Sequence, residues 1–199
     1  MPHAESFDTR DRLLQAAAKL MWERSFQGIG VDELCQRAEA KKGSFYHFFP
    51  SKTDLAVAAI EKSWAQVKET VFDPVFKEGG SGLRQLQTLV ETVHKFQRKV
   101  AAEKGAFLGC PFGNLGQEMA RQDERIRETL QKIFDAHCAY IEAALIRAQQ
   151  AGEIPVGNNR QRARNIFALL EGAQLLAKVA NDPKIFRNAV SAVMVIAAA

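Results

Sequence analysis

The chain predicts an all-α protein of about nine helices, and three observations carry that reading. Apolar residues recur at i, i+3, i+4 and i+7 through most of the 199 residues. No stretch alternates with the period of two that a half-buried strand requires. The breaks between periodic stretches hold Gly, Pro, Asn and Asp, as at 28–30, 73–74, 77–82, 152–159 and 182–183.

Each element follows from its own residues. A first helix is expected over 9–25, where Leu13, Ala16, Ala17, Leu20 and Met21 make one apolar stripe. Asp8 or Thr9 can cap it, and Gly28 and Gly30 end it. Asp32 is placed to cap a second helix with Leu34, Cys35 and Ala38 facing inward. A third covers 42–47, after which Pro50 forces the chain out of helix. Ser51, with Asp54 three residues on, is a capping-box-like start for a fourth, which runs to about Phe72 and is interrupted by Asp73-Pro74. Beyond the linker 77–82, a helix is expected over 83–102, with Leu86, Leu89, Val90, Val93 and Phe96 as its apolar face. The Gly-rich stretch 105–116 contains Pro111, which suits the first position of a helix. A long helix over 123–151 follows, and helices over 160–180 and 183–197 close the chain. The linker and the motifs suggest a first domain over 1–52 and a second over 53–199.

Composition narrows the class. At 47% hydrophobic and 25% charged, the chain has the balance of a globular protein able to bury a real core. No run approaches 18 apolar residues, so no membrane association is expected, and the first residues lack the apolar core of a signal peptide. Cys35, Cys110 and Cys138 are odd in number and form no CxxC pair, which argues against a disulfide framework or a zinc site and for a cytoplasmic home. The net charge of +4 says little by itself, because residues 1–62 hold nine Lys and Arg against nine Asp and Glu. Locally, Arg37, Lys41, Lys42 and Lys52 face only Glu39 between residues 37 and 52. That basic spot is the footprint phosphates require.

The segment from Val31 to Leu55 reads as helix, tight turn, helix. Helix-turn-helix geometry needs a turn of three or four residues and a second helix with small or polar groups at its front. Here the turn is Glu39-Ala40-Lys41, and Gly43 allows close approach to a phosphate. Ser44, Tyr46 and Lys52 are expected to position double-stranded DNA through its phosphates. Lys42 is expected to donate to a base edge, and His47 to reach a base or phosphate. Phe45 could meet a thymine methyl, although Phe45, Phe48 and Phe49 suit packing better.

These residues resemble the DNA-binding domain of the tetracycline-repressor (TetR) family. The resemblance covers residues 9–60 and is carried by Leu34, Cys35, Ala38, Lys42, Gly43, Ser44, Tyr46, Phe49, Ser51, Lys52 and Leu55. Two positions depart from the pattern: Cys35 stands where Ala is usual, and Glu39-Ala40 where Ala-Gly or a similar pair is common. The resemblance implies a homodimer on a near-palindromic operator, usually a repressor released by a small-molecule inducer. An activator, or a regulator that needs no ligand, is the alternative within the same fold.

A second constellation spans 105–118. Asn114 and Glu118 are one helical turn apart and share a face. Cys110 precedes Pro111, so its thiol is expected near a helix N-terminus, where the dipole favours thiolate. The pattern Gly109-Cys110-x-x-Gly113-Asn114-x-x-x-Glu118 resembles a branch of the family that includes repressors responding to reactive electrophiles and acrylate-like molecules. The other reading makes Cys110 a packing residue, with Asn114 and Glu118 satisfying loop backbone.

An inducer pocket is expected after residue 80, mostly apolar with a few polar anchors. His94, Gln97, Phe107, Cys110, Phe112, Asn114, Phe134 and His137 are its candidates, with core packing as the competing role. The last two helices are too apolar for solvent. Phe167, Leu170, Gly172, Ala173, Leu175, Leu176, Val179, Val190, Val193 and Met194 are expected in a homodimer interface or against their own chain. No metal or cofactor is expected, and no enzyme: His94 has no partner ligand at a supporting spacing, and no GxSxG, HExxH, phosphate-loop or dinucleotide fingerprint occurs.

Overall fold

The structure, a computed structural model, describes residues 3–77 and 80–199, with side chains from residue 9 onward. Every element among the described residues is helical. They are α1 (His3–Glu23), α2 (Val31–Arg37), α3 (Lys42–Phe48), α4 (Lys52–Val67), a π-helical turn (Lys68–Phe72), α5 (Asp73–Phe76), α6 (Gly82–Lys104), α7 (Pro111–Met119), α8 (Glu124–Gln150), α9 (Asn159–Ala180), α10 (Pro183–Arg187) and α11 (Ala189–Ala198). Taken as continuous runs they make nine helices among the described residues, because the π turn joins α4 to α5 and only Asn188 parts α10 from α11.

Three local readings change. The backbone of α1 begins at His3 rather than near Thr9, and a cap by the Asp8 side chain lies outside the described residues. Gly30, not Asp32, is the N-cap of α2, and Asp32 sits in the first turn. Asp73-Pro74 does not end the fourth helix: a π turn immediately precedes it, and Pro74 falls at the start of α5. A wider turn there avoids the clash of a proline ring with the carbonyl four residues back. Glu39 ends α2 with φ 50, a left-handed position that suits glycine. The Ala40 N–H donates to the Cys35 carbonyl and the Glu39 N–H to the Gln36 carbonyl, closing the helix in the usual two-bond pattern despite the Cβ.

The chain divides into two compact units, Met1–Gln66 with Pro111–Gln131, and Val67–Cys110 with Lys132–Ala199. Compactness groups α4 and α7 with the helix-turn-helix, whereas the sequence suggested a first domain over 1–52 and a second over 53–199. In the first unit, Leu13, Leu14, Leu20, Ile29, Phe45 and Leu55 form the fully buried centre.

 In the second unit the core is Leu86, Ile141, Leu145, Ile166, Phe186 and Val193. Gly82 opens α6 where it crosses α8, and a Cβ there would stand 2.0 Å from the Ala144 carbonyl oxygen, so only glycine permits that approach.

Candidate nucleic-acid interface and ligand-domain residues

The reading helix α3 is held from beneath. Phe45 is 0% exposed and packs edge-on to Tyr46 and tilted on Phe49. Burying such a ring contributes about 1.5–3 kcal/mol. It fixes the opposite face outward: Lys41, Lys42, Gly43 and His47 are exposed, Ser44 is half-buried, and Tyr46 is 52% exposed. The expectation that Phe45 meets a thymine methyl is corrected, because a fully buried ring reaches no groove. Arg12 of α1 secures the turn before α3, donating from Nε to the Ala38 carbonyl at 2.8 Å and from Nη2 to the Glu39 carbonyl at 3.4 Å. Lys42 pairs with Asp32 at 2.8 Å, and that partner holds its ammonium pKa above the ordinary lysine value. A phosphate or base acceptor would have to displace Asp32.

Lys52 is the second correction. Its Nζ donates to the Phe26 carbonyl at 2.9 Å and the Ile29 carbonyl at 3.0 Å, and lies 4.2 Å from the centre of the Phe26 ring. Burial lowers its pKa. The ammonium is committed to the loop between α1 and α2 rather than presented to phosphate. The start of α4 is as expected: the Ser51 hydroxyl accepts the Asp54 N–H at 3.2 Å. Asp54 in turn takes Arg125 at 2.7 Å, and the Thr53 hydroxyl donates to Asp123 at 2.9 Å.

The same loop is gripped from its other side by Glu118 of α7. The carboxylate accepts the Ser25 hydroxyl at 2.6 Å, the Phe26 N–H at 3.0 Å and the Gln27 N–H at 3.0 Å. Burial pushes its pKa up, but the Ser25 hydroxyl, the two amides and Lys52 outweigh that and hold it below the ordinary glutamate value. Sequence reasoning placed Glu118 on a shared face with Asn114 and allowed it a loop-backbone role. Its partners lie more than 90 residues away, and no local spacing announces them.

The pocket candidates separate. Phe112 and Asn114 fall in the first unit, where Phe112 is buried and meets Trp64 edge-on at 6.2 Å. His94, Gln97, Phe107, Cys110, Phe134 and His137 fall in the second. Phe107 is buried, and its N–H donates to Asn181 Oδ1 at 2.8 Å. Phe134 and His137 both stack on Phe167, and His137 also meets Phe72 edge-on. His137 Nδ1 lies 2.7 Å from the Ile133 carbonyl, which can only accept, so Nδ1 carries the proton. Burial depresses the His137 pKa to about 4. The folded state therefore resists a proton that the unfolded state takes near pH 6.5. Stability from this residue is full above 6.5 and lost as pH falls towards 4, by on the order of 3 kcal/mol. In urea titrations, His137→Phe should flatten the stability–pH curve across that window relative to wild type. An unchanged slope would remove His137 as its source. Among the described residues, no group of three or more His, Cys, Asp or Glu is arranged to hold a metal ion.

The expected interface residues also separate. Leu170 and Ala173 are each 8% exposed and Val193 is buried, so they face their own unit; Phe167 is held by Phe134 and His137. The interface reading of Phe167, Leu170 and Ala173 is corrected on that ground. Gly172, Leu175, Leu176 and Val179 form the opposite stripe of α9 at i, i+3, i+4 and i+7, with Leu176 61% and Val179 79% exposed. Val190 and Met194 are half-buried, and Val195, which sequence reasoning missed, is 70% exposed on the neighbouring α11.

Comparison with known proteins joins these features. Residues 13–59 match the family model of bacterial regulatory proteins, tetR family, and residues 82–193 match the tetracyclin repressor-like C-terminal domain. The chain belongs to the TetR family. It is 31% identical over 186 residues to the HTH-type transcriptional repressor NemR of Escherichia coli K12, covering 92% of this chain and 91% of that protein. It is 29% identical to the transcriptional regulator AcuR of Cereibacter sphaeroides, covering 86% and 77%. A crystal structure of reduced E. coli NemR superposes with a TM-score of 0.81 at 29% identity, covering 95% of this chain and 97% of that one. A TetR regulatory protein from Rhodobacter sphaeroides gives 0.81 at 27%, covering 92% and 95%. This chain is thus a DNA-binding transcriptional regulator with a helix-turn-helix unit and a ligand-responsive C-terminal domain. TetR-family regulators bind operator DNA and typically act as dimers with small-molecule ligands, and the relatives named here are regulators rather than enzymes. No helix among the described residues is long and apolar enough to cross a membrane.

Proposed function

We propose that this regulator is a homodimeric repressor that leaves a near-palindromic operator when its second unit takes up a small molecule or when an electrophile reacts at Cys110. The observation that carries it is the outward face of α3. Lys41, Lys42, Ser44, Tyr46 and His47 line one side of a helix whose other side is anchored by Phe45. Lys42 and His47 would read base edges, and Ser44, Tyr46 and Lys41 would hold phosphates. The exposed stripe of α9 with Val195 supplies the apolar area a two-fold partner would cover. Cys110 is partly exposed and has no disulfide. The E. coli relative was crystallised in a reduced form, which accords with a regulator sensitive to redox or electrophilic chemistry.

Footprinting on DNA from the protein's own upstream region tests this reading, with and without a maleimide. A symmetric footprint lost on treatment in wild type, but kept in Cys110→Ser, is expected. A footprint indifferent to the reagent would leave a repressor with a non-covalent inducer. Lys42→Ala should weaken specific binding about 10-fold or more, in line with ~1–3 kcal/mol for a base contact. Tyr46→Phe should weaken binding to all sequences alike. Dissociation of the dimer in either variant would remove its residue from the interface.

A further inference from the structure

The second unit contains a line of polar side chains, buried at Gln97 and Gln174 and half-buried at Glu171 and Cys110. Its orientation is forced by one carbonyl. The Gly109 oxygen can only accept, so Gln97 must present Nε2 to it, at 3.0 Å. The same nitrogen lies 3.2 Å from Gln174, which must answer with Oε1. Gln174 then turns its own Nε2 towards Glu171 Oε1, at 3.4 Å. The Glu171 carboxyl ends the line by a hydrogen bond with the Cys110 thiol, one residue beyond Gly109. Gln97 is 2% exposed, and its Oε1 meets no hydrogen-bond partner among the described residues. A buried amide oxygen is seldom left so, and what it lacks is a donor.

We propose that Glu171 is the proton acceptor for Cys110, so that the thiol adds to an activated alkene carrying an N–H or O–H donor, such as an α,β-unsaturated amide. This rests on the reading of Cys110 as a reactive residue. The step balances without an oxidant. The S–H proton passes to the Glu171 carboxylate as sulfur bonds to the β-carbon. The alkene π pair moves to the α-carbon and its carbonyl, and the proton returns from Glu171 to the α-carbon. Glu171 ends ionised, and the net change is addition of S–H across the double bond. The donor on the ligand would meet Gln97 Oε1. Burial raises the Glu171 pKa, which suits a proton acceptor, while the thiol's hydrogen bond opposes that rise. Of the titratable groups among the described residues, Cys110 is the one that shifts Glu171.

The test is the rate of acrylamide addition at Cys110 of the full chain against pH, followed by mass spectrometry in wild type, Glu171→Gln and Glu171→Asp. The wild-type rate should level off by neutral pH. Glu171→Gln should react at least about 10-fold more slowly at pH 7, and its rate should climb tenfold per pH unit into the free-thiol range. Glu171→Asp should recover part of the rate. Equal or faster reaction in Glu171→Gln, with an unchanged profile, would overturn the role of Glu171 and leave Cys110 reactive. No adduct in wild type would overturn both. If Glu171→Gln exposes the buried Cys35 to the reagent, the wild-type profile decides: a plateau below the thiol range supports the acceptor, and a tenfold climb per unit through neutrality overturns it. Methyl acrylate, which has no N–H, should lose ground to acrylamide relative to their rates with glutathione. Equal standing would overturn the donor requirement.

Discussion

Leu176→Asp is expected to convert the proposed homodimer into a monomer and abolish tight operator binding. Leu176 is 61% exposed at the middle of an apolar stripe on α9, beside Val179 at 79%. In a two-fold interface the same patch serves both copies, so one substitution places two carboxylates in one apolar contact. Each desolvated charge costs several kcal/mol, which raises the dimer dissociation constant by on the order of a thousandfold. Sedimentation should show the mass falling from twice 22.1 kDa to 22.1 kDa while helicity persists, because the residue supports no core of its own. Leu170→Ala should behave differently: at 8% exposure it faces inward, and its truncation should lower stability with less effect on association. A dimer that survives Leu176→Asp would move the interface elsewhere.

Glu118→Ala is expected to lower stability and weaken operator binding without touching any group on the DNA-facing side. The carboxylate holds Ser25, Phe26 and Gln27, and Lys52 holds the Phe26 and Ile29 carbonyls, so the loop that sets the start of α2 is fixed from both sides. Losing the carboxylate leaves two backbone donors unpaired and removes the charge beside Lys52. Hydrogen bonds to a charged group contribute ~1.5–3 kcal/mol, so a loss of about 3 kcal/mol and a Tm lower by about 6–12 °C are expected. Glu118→Gln should fall between, since its amide nitrogen would face a donor. The pH dependence has a definite sign. The folded pKa lies below the ordinary glutamate value, so this stability is present above about pH 4.5 and lost as pH falls through the lower folded value. Thermal melts with unchanged Tm in both variants would show that the loop does not depend on Glu118.

The helical class and the reading helix were legible because both are local. The apolar spacing of Leu13, Ala17 and Leu20, the Ser51 cap and the Lys42-Gly43-Ser44 step each act within a few residues. The candidate site was only partly legible for the same reason. Lys52 looked like a phosphate ligand because its place in a first helical turn is a local fact, whereas the carbonyls of Phe26 and Ile29 that claim it lie 26 and 23 residues away. Phe45 looked ambiguous until its burial was known. On α9, apolar residues on both faces could not say which side meets the chain's own core. The π turn before Pro74 was hidden because a proline signals an interruption, not how the backbone answers it.

By itself the sequence determined the all-α class, the order of helices and the residues that front α3, since periodicity, caps and turn residues act over one or two turns. Tertiary structure alone decided that Glu118 and Lys52 clamp one loop, that Gly109, Gln97, Gln174, Glu171 and Cys110 form one polar line, and that Leu176 rather than Leu170 faces outward. Those outcomes depend on contacts between residues tens of positions apart, and on which of two faces of a helix the rest of the chain buries.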